Sequence, residues 1–393
     1  MRWQKPWHLH SRVSDHSKMV ATLCLGILRQ RSGRLFLTCL GVSVAFFLAA
    51  AQAGLLVGWI NTNTALIRHA GADLWITAEQ APAWDYGTAI PRQRIYQARS
   101  TPGVAWAEGL YMAWNIWQCP DGKRINVEMV GLDSGYQGGP WKLAAGELGC
   151  VRQPETVIVD ELYLQTLGVH HIGDEVAIYG IRARLGAISR GVRTFTAAPH
   201  VFTSLEQAIR YDQRYSHDDI TYVLARCEPG ADVLTVQEEM RRRISHVDVL
   251  TTREFATRSA KYWMLETGVG VTVVITAALG LAVGAVITSQ TLFATTQENL
   301  PHYATLLALG FRRRTLTAVV LGQSVAVGLA GAVLGSALFF PASWASARTP
   351  IPLETTPLVY AALVAVSLLT CVLASFISVR TIFSLDPVVV FRQ

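Results

Sequence analysis

Residues 295–316 read TTQENLPHYATLLALGFRRRTL, and the fold of this stretch decides how the rest of the chain is laid out. Tyr303, Leu306, Leu307 and Gly310 recur at i, i+3, i+4 and i+7, the spacing of one face of an α-helix. Asn299 can cap that helix, and Pro301 fits its first turn, where backbone N–H groups have no intrahelical partner. Gly310 supplies a left-handed exit, and Arg312, Arg313 and Arg314 follow at once. So short a helix is no domain. Flanked by two long apolar runs, it is read as an amphipathic segment at one face of a membrane.

The composition agrees. The chain has 393 residues, of which 51% are apolar and 16% charged, with a mean hydropathy of +0.30. Soluble domains carry about 25% charged residues. Four apolar stretches, Leu35–Ile60, Gly268–Phe293, Leu316–Phe340 and Leu358–Val379, are each long enough to cross a hydrocarbon core of ~30 Å. Ala49–Gly54, AAAQAG, resembles a signal-peptidase site. The apolar run continues past it as LLVGWI, however, and the segment before it is longer than a secretory n-region. The first stretch is therefore read as a retained helix.

Charge sets the orientation. Met1–Arg34, the 295–315 loop and the tail after Val379 together hold 12 Arg and Lys against 3 Asp and Glu. An even number of spans puts all three on one side, and the positive-inside rule makes that side the cytosol. The pI of about 9.1 then reflects topology and calls for no nucleic acid. Trp59, Tyr262, Trp263 and Trp344 fall near span ends on the opposite face, like half of an aromatic belt. The expected divisions are a cytoplasmic segment 1–34, a first span 35–60, an extracytoplasmic domain 61–265 and a second span 266–293. A cytoplasmic loop 294–315, a third span 316–341, a short outer loop 342–357, a fourth span 358–379 and a cytoplasmic tail 380–393 complete them.

The large insert reads as α+β. Its expected strands are Asp73–Thr77, Arg124–Leu132, Thr156–Val159, Glu175–Tyr179 and Thr221–Ala225. Helices are expected over Pro91–Arg99, Asp160–Leu167, Ser204–Tyr211 and Ala231–Ile244. Pro91 opens the first of these, Asp160 and Gly168 cap and stop the second, and Ser204 with Gln207 forms a capping-box pattern. The fold class is thus a membrane protein of four transmembrane α-helices, with a large α+β extracytoplasmic domain inserted between helices 1 and 2.

Little in the chain points to catalysis. There is no phosphate-cradling GxxxxGK[ST], no GxSxG and no HExxH. VHHIGDEV, Val169–Val176, places two histidines near two acids, a metal site or more simply a polar turn. Arg241–Arg243 end a helix, where cations complement the macrodipole. Glu266 stands at the mouth of the second span within reach of water. Cys24, Cys39 and Cys371 lie in or beside spans as small apolar residues. Cys119, Cys150 and Cys227 lie in the exported region, where one disulfide is possible and its pairing is not readable. Gly54–Gly58, Gly280–Gly284 and Gly331–Gly335 are GxxxG spacings, suited to packing within one subunit or to a dimer seam. The patch on the short helix either faces a partner or lies in the lipid headgroups. Arg312–Arg314 anchor the next span at an anionic surface.

One span, a large insert and three clustered spans form a layout that resembles the FtsX/MacB-like permeases of ABC transporters. ENLPHYATLLALGFRRRTL (Glu298–Leu316) resembles that family's loop between its second and third spans. RTIFSLDPVVVF (Arg380–Phe391) resembles its ending, and LGILRQRSGRLFLTCLGVSVA (Leu25–Ala45) its amphipathic elbow. LTTREF…YWMLETGVG (Leu250–Gly270) and the LPHYATLLALGF helix are most similar to the DevC branch, permeases of heterocyst-type glycolipid exporters. The tryptophan-rich AWAEGLYMAWNIWQC (Ala105–Cys119) departs from the family.

The resemblance implies a non-catalytic homodimer in a bacterial inner membrane, with both termini cytoplasmic. It would bind two copies of a separate ATPase, which alone uses ATP, so no cofactor is expected on this chain. Pro301, Tyr303, Leu306, Leu307, Gly310 and Phe311 would form the coupling helix seated in a groove of that ATPase. The insert would engage a periplasmic adaptor linked to an outer-membrane channel and drive export of a lipid, glycolipid or other hydrophobic substrate by transmitted motion. The alternatives are an FtsX-like regulator of a cell-wall hydrolase and a lipoprotein-release permease.

Overall fold

The structure, a computed structural model, describes residues 32–194, 196, 198–212, 218–298, 300–310 and 312–383. The elbow before residue 32, Cys24, the cap expected at Asn299, Phe311 and the DP-containing tail from residue 384 lie outside the described residues. The chain divides into two compact units, one of membrane helices and one built on residues 56–271.

In the membrane unit, helix α1 (Ser32–His69), α7 (Val269–Glu298), α9 (Arg313–Ser346) and α10 (Pro357–Phe383) are each long and apolar enough to span a bilayer. These four apolar helices flank a mixed α+β domain lying between the first two of them. The spans meet through small residues. A Cβ on Gly331 of α9 would lie 2.3 Å from the Val42 Cγ1 of α1, and one on Gly284 of α7 would lie 2.5 Å from the Ala45 Cβ. A Cβ on Gly335 would lie 2.7 Å from the Phe46 ring, and one on Gly328 would lie 2.9 Å from Leu368 of α10. Gly280, Gly284, Gly331 and Gly335, all from the GxxxG spacings, thus face neighbouring helices of the same chain, where a missing side chain lets backbones approach. Small clusters add apolar contacts, among them Cys39, Val42, Val327 and Cys371, and Phe46, Ala50, Ala332 and Phe339. Large apolar side chains such as Leu279, Val333 and Leu373 point outward and are exposed.

The soluble domain is organised by one ten-stranded sheet. Its strands, in chain order, are β1 (Leu74–Thr77), β3 (Val104–Gln118), β4 (Arg124–Leu132), β5 (Leu143–Ala145) and β6 (Thr156–Asp160). They continue with β7 (Glu175–Ile178), β8 (Ile181–Ser189), β9 (His200–Ser204), β11 (Tyr222–Cys227) and β12 (Asp248–Thr251). Across the sheet the order is β12-β1-β11-β3-β4-β9-β6-β8-β5, and β7 pairs with both β3 and β8. A separate short ladder joins β2 (Ile90–Pro91) to β10 (Asp219–Ile220). The pairs β4–β9 and β6–β8 are parallel.

The spine is the β3–β4 hairpin, in register from Leu110↔Leu132 to Gln118↔Arg124. Both faces of β3 are covered. Tyr111, Ala113 and Trp117 enter one core with Val127, Met129 and the helices α2 (Gln93–Arg99), α4 (Leu205–Asp212) and α5 (Val233–Arg243). Leu110 and Met112 enter the other core with Trp75, Tyr222 and Phe255. The tryptophan-rich stretch therefore forms the central strand. Apolar residues on both faces remove the period-two alternation by which a strand is recognised.

Caps follow their expected chemistry. The Asp160 carboxylate accepts from Leu162 N at 3.1 Å, and Gly168 closes α3 (Leu164–Leu167) at φ +66°. The Ser204 Oγ accepts from Gln207 N at 3.4 Å, but the Gln207 Oε1 is buried without a partner, so the expected capping box is only half formed. Pro91 does not open a helix. It pairs with Asp219, and α2 starts two residues later, because the β2–β10 ladder holds Pro91 extended. The turn reading of VHHIGDEV holds its geometry, since the Asp174 Oδ2 accepts from the backbone N–H groups of His170 and His171 at 2.7 and 3.0 Å. Cys119 and Cys227 are buried free thiols, and Cys150 is a half-buried one.

Candidate functional site

The short helix α8 spans Leu300–Ala308. Pro301 sits in its first turn, where its missing N–H breaks no ladder. The helix closes with Leu309 N donating to Thr305 O and Gly310 N to Leu307 O, both at 3.0 Å. Gly310 adopts φ +91°, a left-handed exit open to glycine without strain. α9 begins at Arg313.

Of the residues expected to form the coupling helix, Pro301 and Gly310 are exposed, while Tyr303, Leu306 and Leu307 turn toward the chain's own spans. Tyr303 is 1% exposed and packs with Leu316 and Val320 of α9 and Val379 of α10, while Leu306 and Leu307 are half-buried against the same cluster. The Tyr303–Leu306–Leu307 stripe is therefore the seat of α8 on its own spans. Among the described side chains, the exposed positions are Pro301, Thr305, Ala308, Leu309 and Gly310, with Leu309 at 72%. Sequence reasoning missed Leu309. A 3.6-residue stripe shows that one face is covered but not by what, and the apolar ends of α9 and α10 competed for that role.

Arg312, Arg313 and Arg314 are exposed at the N-terminal end of α9, and no acid shares its first turn. Cations at that end oppose the macrodipole by about 0.3–1 kcal/mol each.

Other titratable residues singled out in the sequence have structural partners. Arg241 donates from Nε and Nη2 to the Val249 carbonyl at 3.1 and 2.9 Å, joining α5 to β12. Arg243 Nε donates to Glu239 at 2.6 Å. Glu266 is exposed. Asp160 is buried and accepts from Leu162 N, Val192 N and Ser189 Oγ, and its burial holds its carboxyl above the ordinary range. Among the described residues, no group of three or more His, Cys, Asp or Glu could hold a metal ion.

Four apolar helices, with an α+β domain inserted in the chain between the first and second, define a multi-pass membrane protein. The family model described as the MacB-like periplasmic core domain matches residues 35–243, more than half of the chain, and that of the FtsX-like permease C-terminal matches residues 274–387. The chain belongs to the FtsX/MacB-like permeases, with the architecture of an ABC-transporter permease. Members of this family are non-catalytic permease subunits, and so is this chain.

Comparison with curated proteins yields no match. Among solved structures, the chain is similar to the extracellular domain of the noncanonic ABC-type transporter YknZ from Gram-positive bacteria, at 10% identity and TM-score 0.36 over 46% of this chain and 98% of that one. It is similar to the periplasmic region of MacB from Actinobacillus actinomycetemcomitans, at 11% identity and TM-score 0.38 over 48% and 92%. A domain of a permease protein from Porphyromonas gingivalis matches at 13% identity and TM-score 0.33 over 46% and 91%. The family assignment rests on the two family models.

Proposed function

We propose that this chain is the permease subunit of an ABC-type exporter of the inner membrane, working as a homodimer with two copies of a separate ATPase. Both termini lie in the cytosol, and the sheet domain engages a periplasmic adaptor linked to an outer-membrane channel. The substrate is a lipid, glycolipid or other hydrophobic molecule, as in the DevC branch. Helix α8 is the coupling element. Tyr303, Leu306 and Leu307 seat it on α9 and α10, and Pro301, Thr305, Ala308 and Leu309 meet the ATPase. Gly310 turns the chain into α9, and Arg312–Arg314 hold that end at the anionic inner surface.

The observation that carries this reading is the two-sidedness of α8. A helix of nine residues is marginal alone, so a buried Tyr303 anchor makes it move with the spans, while an exposed leucine leaves a contact to be filled. The test is a pull-down of the tagged ATPase with Leu309→Asp. Loss of the ATPase with unchanged permease melting supports the coupling role. Full retention of the complex and of export would make α8 a plain membrane-surface helix.

A further inference from the structure

Far in sequence from α8, the sheet unit contains an open cavity of about 590 Å³ lined by Trp59, Tyr86, Trp114, Thr196, Trp263 and Val269. Its size is that of a small-molecule site. Four of its six lining residues are aromatic, from four separate parts of the chain: α1, the 3-10 turn Trp84–Tyr86, the central strand β3, and the π turn Tyr262–Glu266 that precedes α7. Trp59 and Trp263 stand edge to face with ring centroids 6.2 Å apart, and Tyr86 lies 6.1 Å from Trp263.

Asp85 positions these walls. The Trp263 indole N–H donates to its Oδ2 at 2.9 Å, and the Trp114 indole N–H donates to its backbone carbonyl at 3.1 Å. The turn that carries Asp85 is itself pinned, because Trp84 stacks on Tyr222 at 5.2 Å and accepts the Tyr222 hydroxyl at 2.6 Å through its carbonyl. Asp85 is 4% exposed. Burial and the neighbouring Glu128 carboxylate hold its carboxyl well above the ordinary range, against the lowering effect of the Trp263 N–H. A second buried acid, Glu128, lies behind Thr196, whose hydroxyl donates to Glu128 Oε1 at 2.7 Å, with His200 Nδ1 3.1 Å from Oε2.

These details select a ligand class. Two indole N–H groups and the Thr196 hydroxyl are directed to buried acidic residues, so the wall offers π faces in preference to donors for sugar hydroxyls. Among the described residues that line the cavity there is no Lys or Arg to receive an anion. Aromatic faces and carboxylates both attract positive charge. We propose that this cavity is an aromatic cage for an organic cation, an alkylated ammonium with an apolar body, supplied either as a lipid headgroup or as a free solute. Asp85 is a positioning residue. A cation beside the wall favours its ionised form, so binding strengthens as pH rises, with Glu128, Tyr222 and Tyr262 the other titratable groups acting nearby. The site requires no ATPase, so its fate is separate from that of the exporter reading.

The test uses the full chain in phosphatidylglycerol nanodiscs, with calorimetry and tryptophan fluorescence as readouts. Benzyltrimethylammonium should bind roughly tenfold more tightly than neopentylbenzene, its uncharged isostere, and more tightly than methyl glucoside or benzenesulfonate. Trp114→Ala should lose this preference, Trp114→Phe should keep part of it, and Trp344→Ala, an exposed tryptophan that does not line the cavity, should leave it unchanged. In Asp85→Asn, whose amide oxygen can still accept from Trp263, binding should lose its rise with pH. Repetition in phosphatidylcholine discs separates the sources: weakened probe binding marks the lipid headgroup as occupant, and unchanged binding marks a free solute, the cage chemistry standing in both. Equal binding of cation and isostere overturns the proposal. So does tighter binding of the glucoside, or an undiminished preference when both Trp114→Phe and a correctly folded Trp263→Ala are measured.

Discussion

Apolar residues have opposite uses in the two units. In the sheet domain Trp75, Tyr111 and Trp117 are wholly buried, and their removal from water is the main force holding the fold. In the membrane unit Leu279, Val333 and Leu373 are exposed, and the contacts that define the fold are made at Gly284, Gly331 and Gly335. Lipid tails are as apolar as leucine, so between spans there is no hydrophobic gain from contact. Hydrophobicity folds the first unit and only locates the second. Shape folds the second.

The sharpest way to break that contrast is the same truncation in both places. Trp75→Ala should destabilise the sheet domain by about 3–5 kcal/mol, read by thermal melting or protease resistance of the full chain. Leu279→Ala, at an exposed site in α7, should change stability by well under 1 kcal/mol. If both cost the same, the spans are held by large side chains after all. The converse test adds bulk. Gly331→Leu puts carbon where Val42 already stands and should cost about 1–3 kcal/mol or more, seen as a lower melting temperature in detergent, whereas Val333→Leu, two residues away and exposed, should be silent.

A smaller effect on stability separates the two faces of α8. Leu309→Asp should leave melting unchanged yet weaken ATPase co-purification by roughly 30-fold, the value of an interface anchor of about 2 kcal/mol. Tyr303→Ala should lower the stability of the membrane unit itself. If Leu309→Asp lowers the melting temperature and Tyr303→Ala does not, the two faces have been assigned the wrong way round.

A further effect is electrostatic and belongs to the sheet domain. With Asp85 raised in the folded state, the folded protein binds its proton more tightly than the unfolded chain does. Stability from this group is therefore full at pH below the unfolded value near 3.8 and is lost as pH rises through the higher folded value. Melting of the wild type should fall with pH over that window, and Asp85→Asn should fall less. Equal slopes would mean that Asp85 ionises normally.

Sequence alone determined what depends on short-range information. The spans are legible because a run of apolar residues reports its own preference for lipid whatever packs beside it. Asp160, Ser204, Gly168 and Gly310 are legible because caps and left-handed exits are contacts within a few residues. Tertiary structure decided what depends on the identity of the neighbour. Val104–Gln118 became the central strand because helices and strands distant in sequence cover both its faces, erasing the alternation that marks a half-exposed strand. Pro91 was drawn into a ladder with Asp219, and Tyr303 was turned inward by Leu316, Val320 and Val379. Trp59, Tyr86, Trp114 and Trp263, separated by up to 204 residues, line one cavity only in the folded chain, where Asp85 bonds to two of them. Periodicity states which residues seek cover, but only the folded chain supplies the surface that covers them.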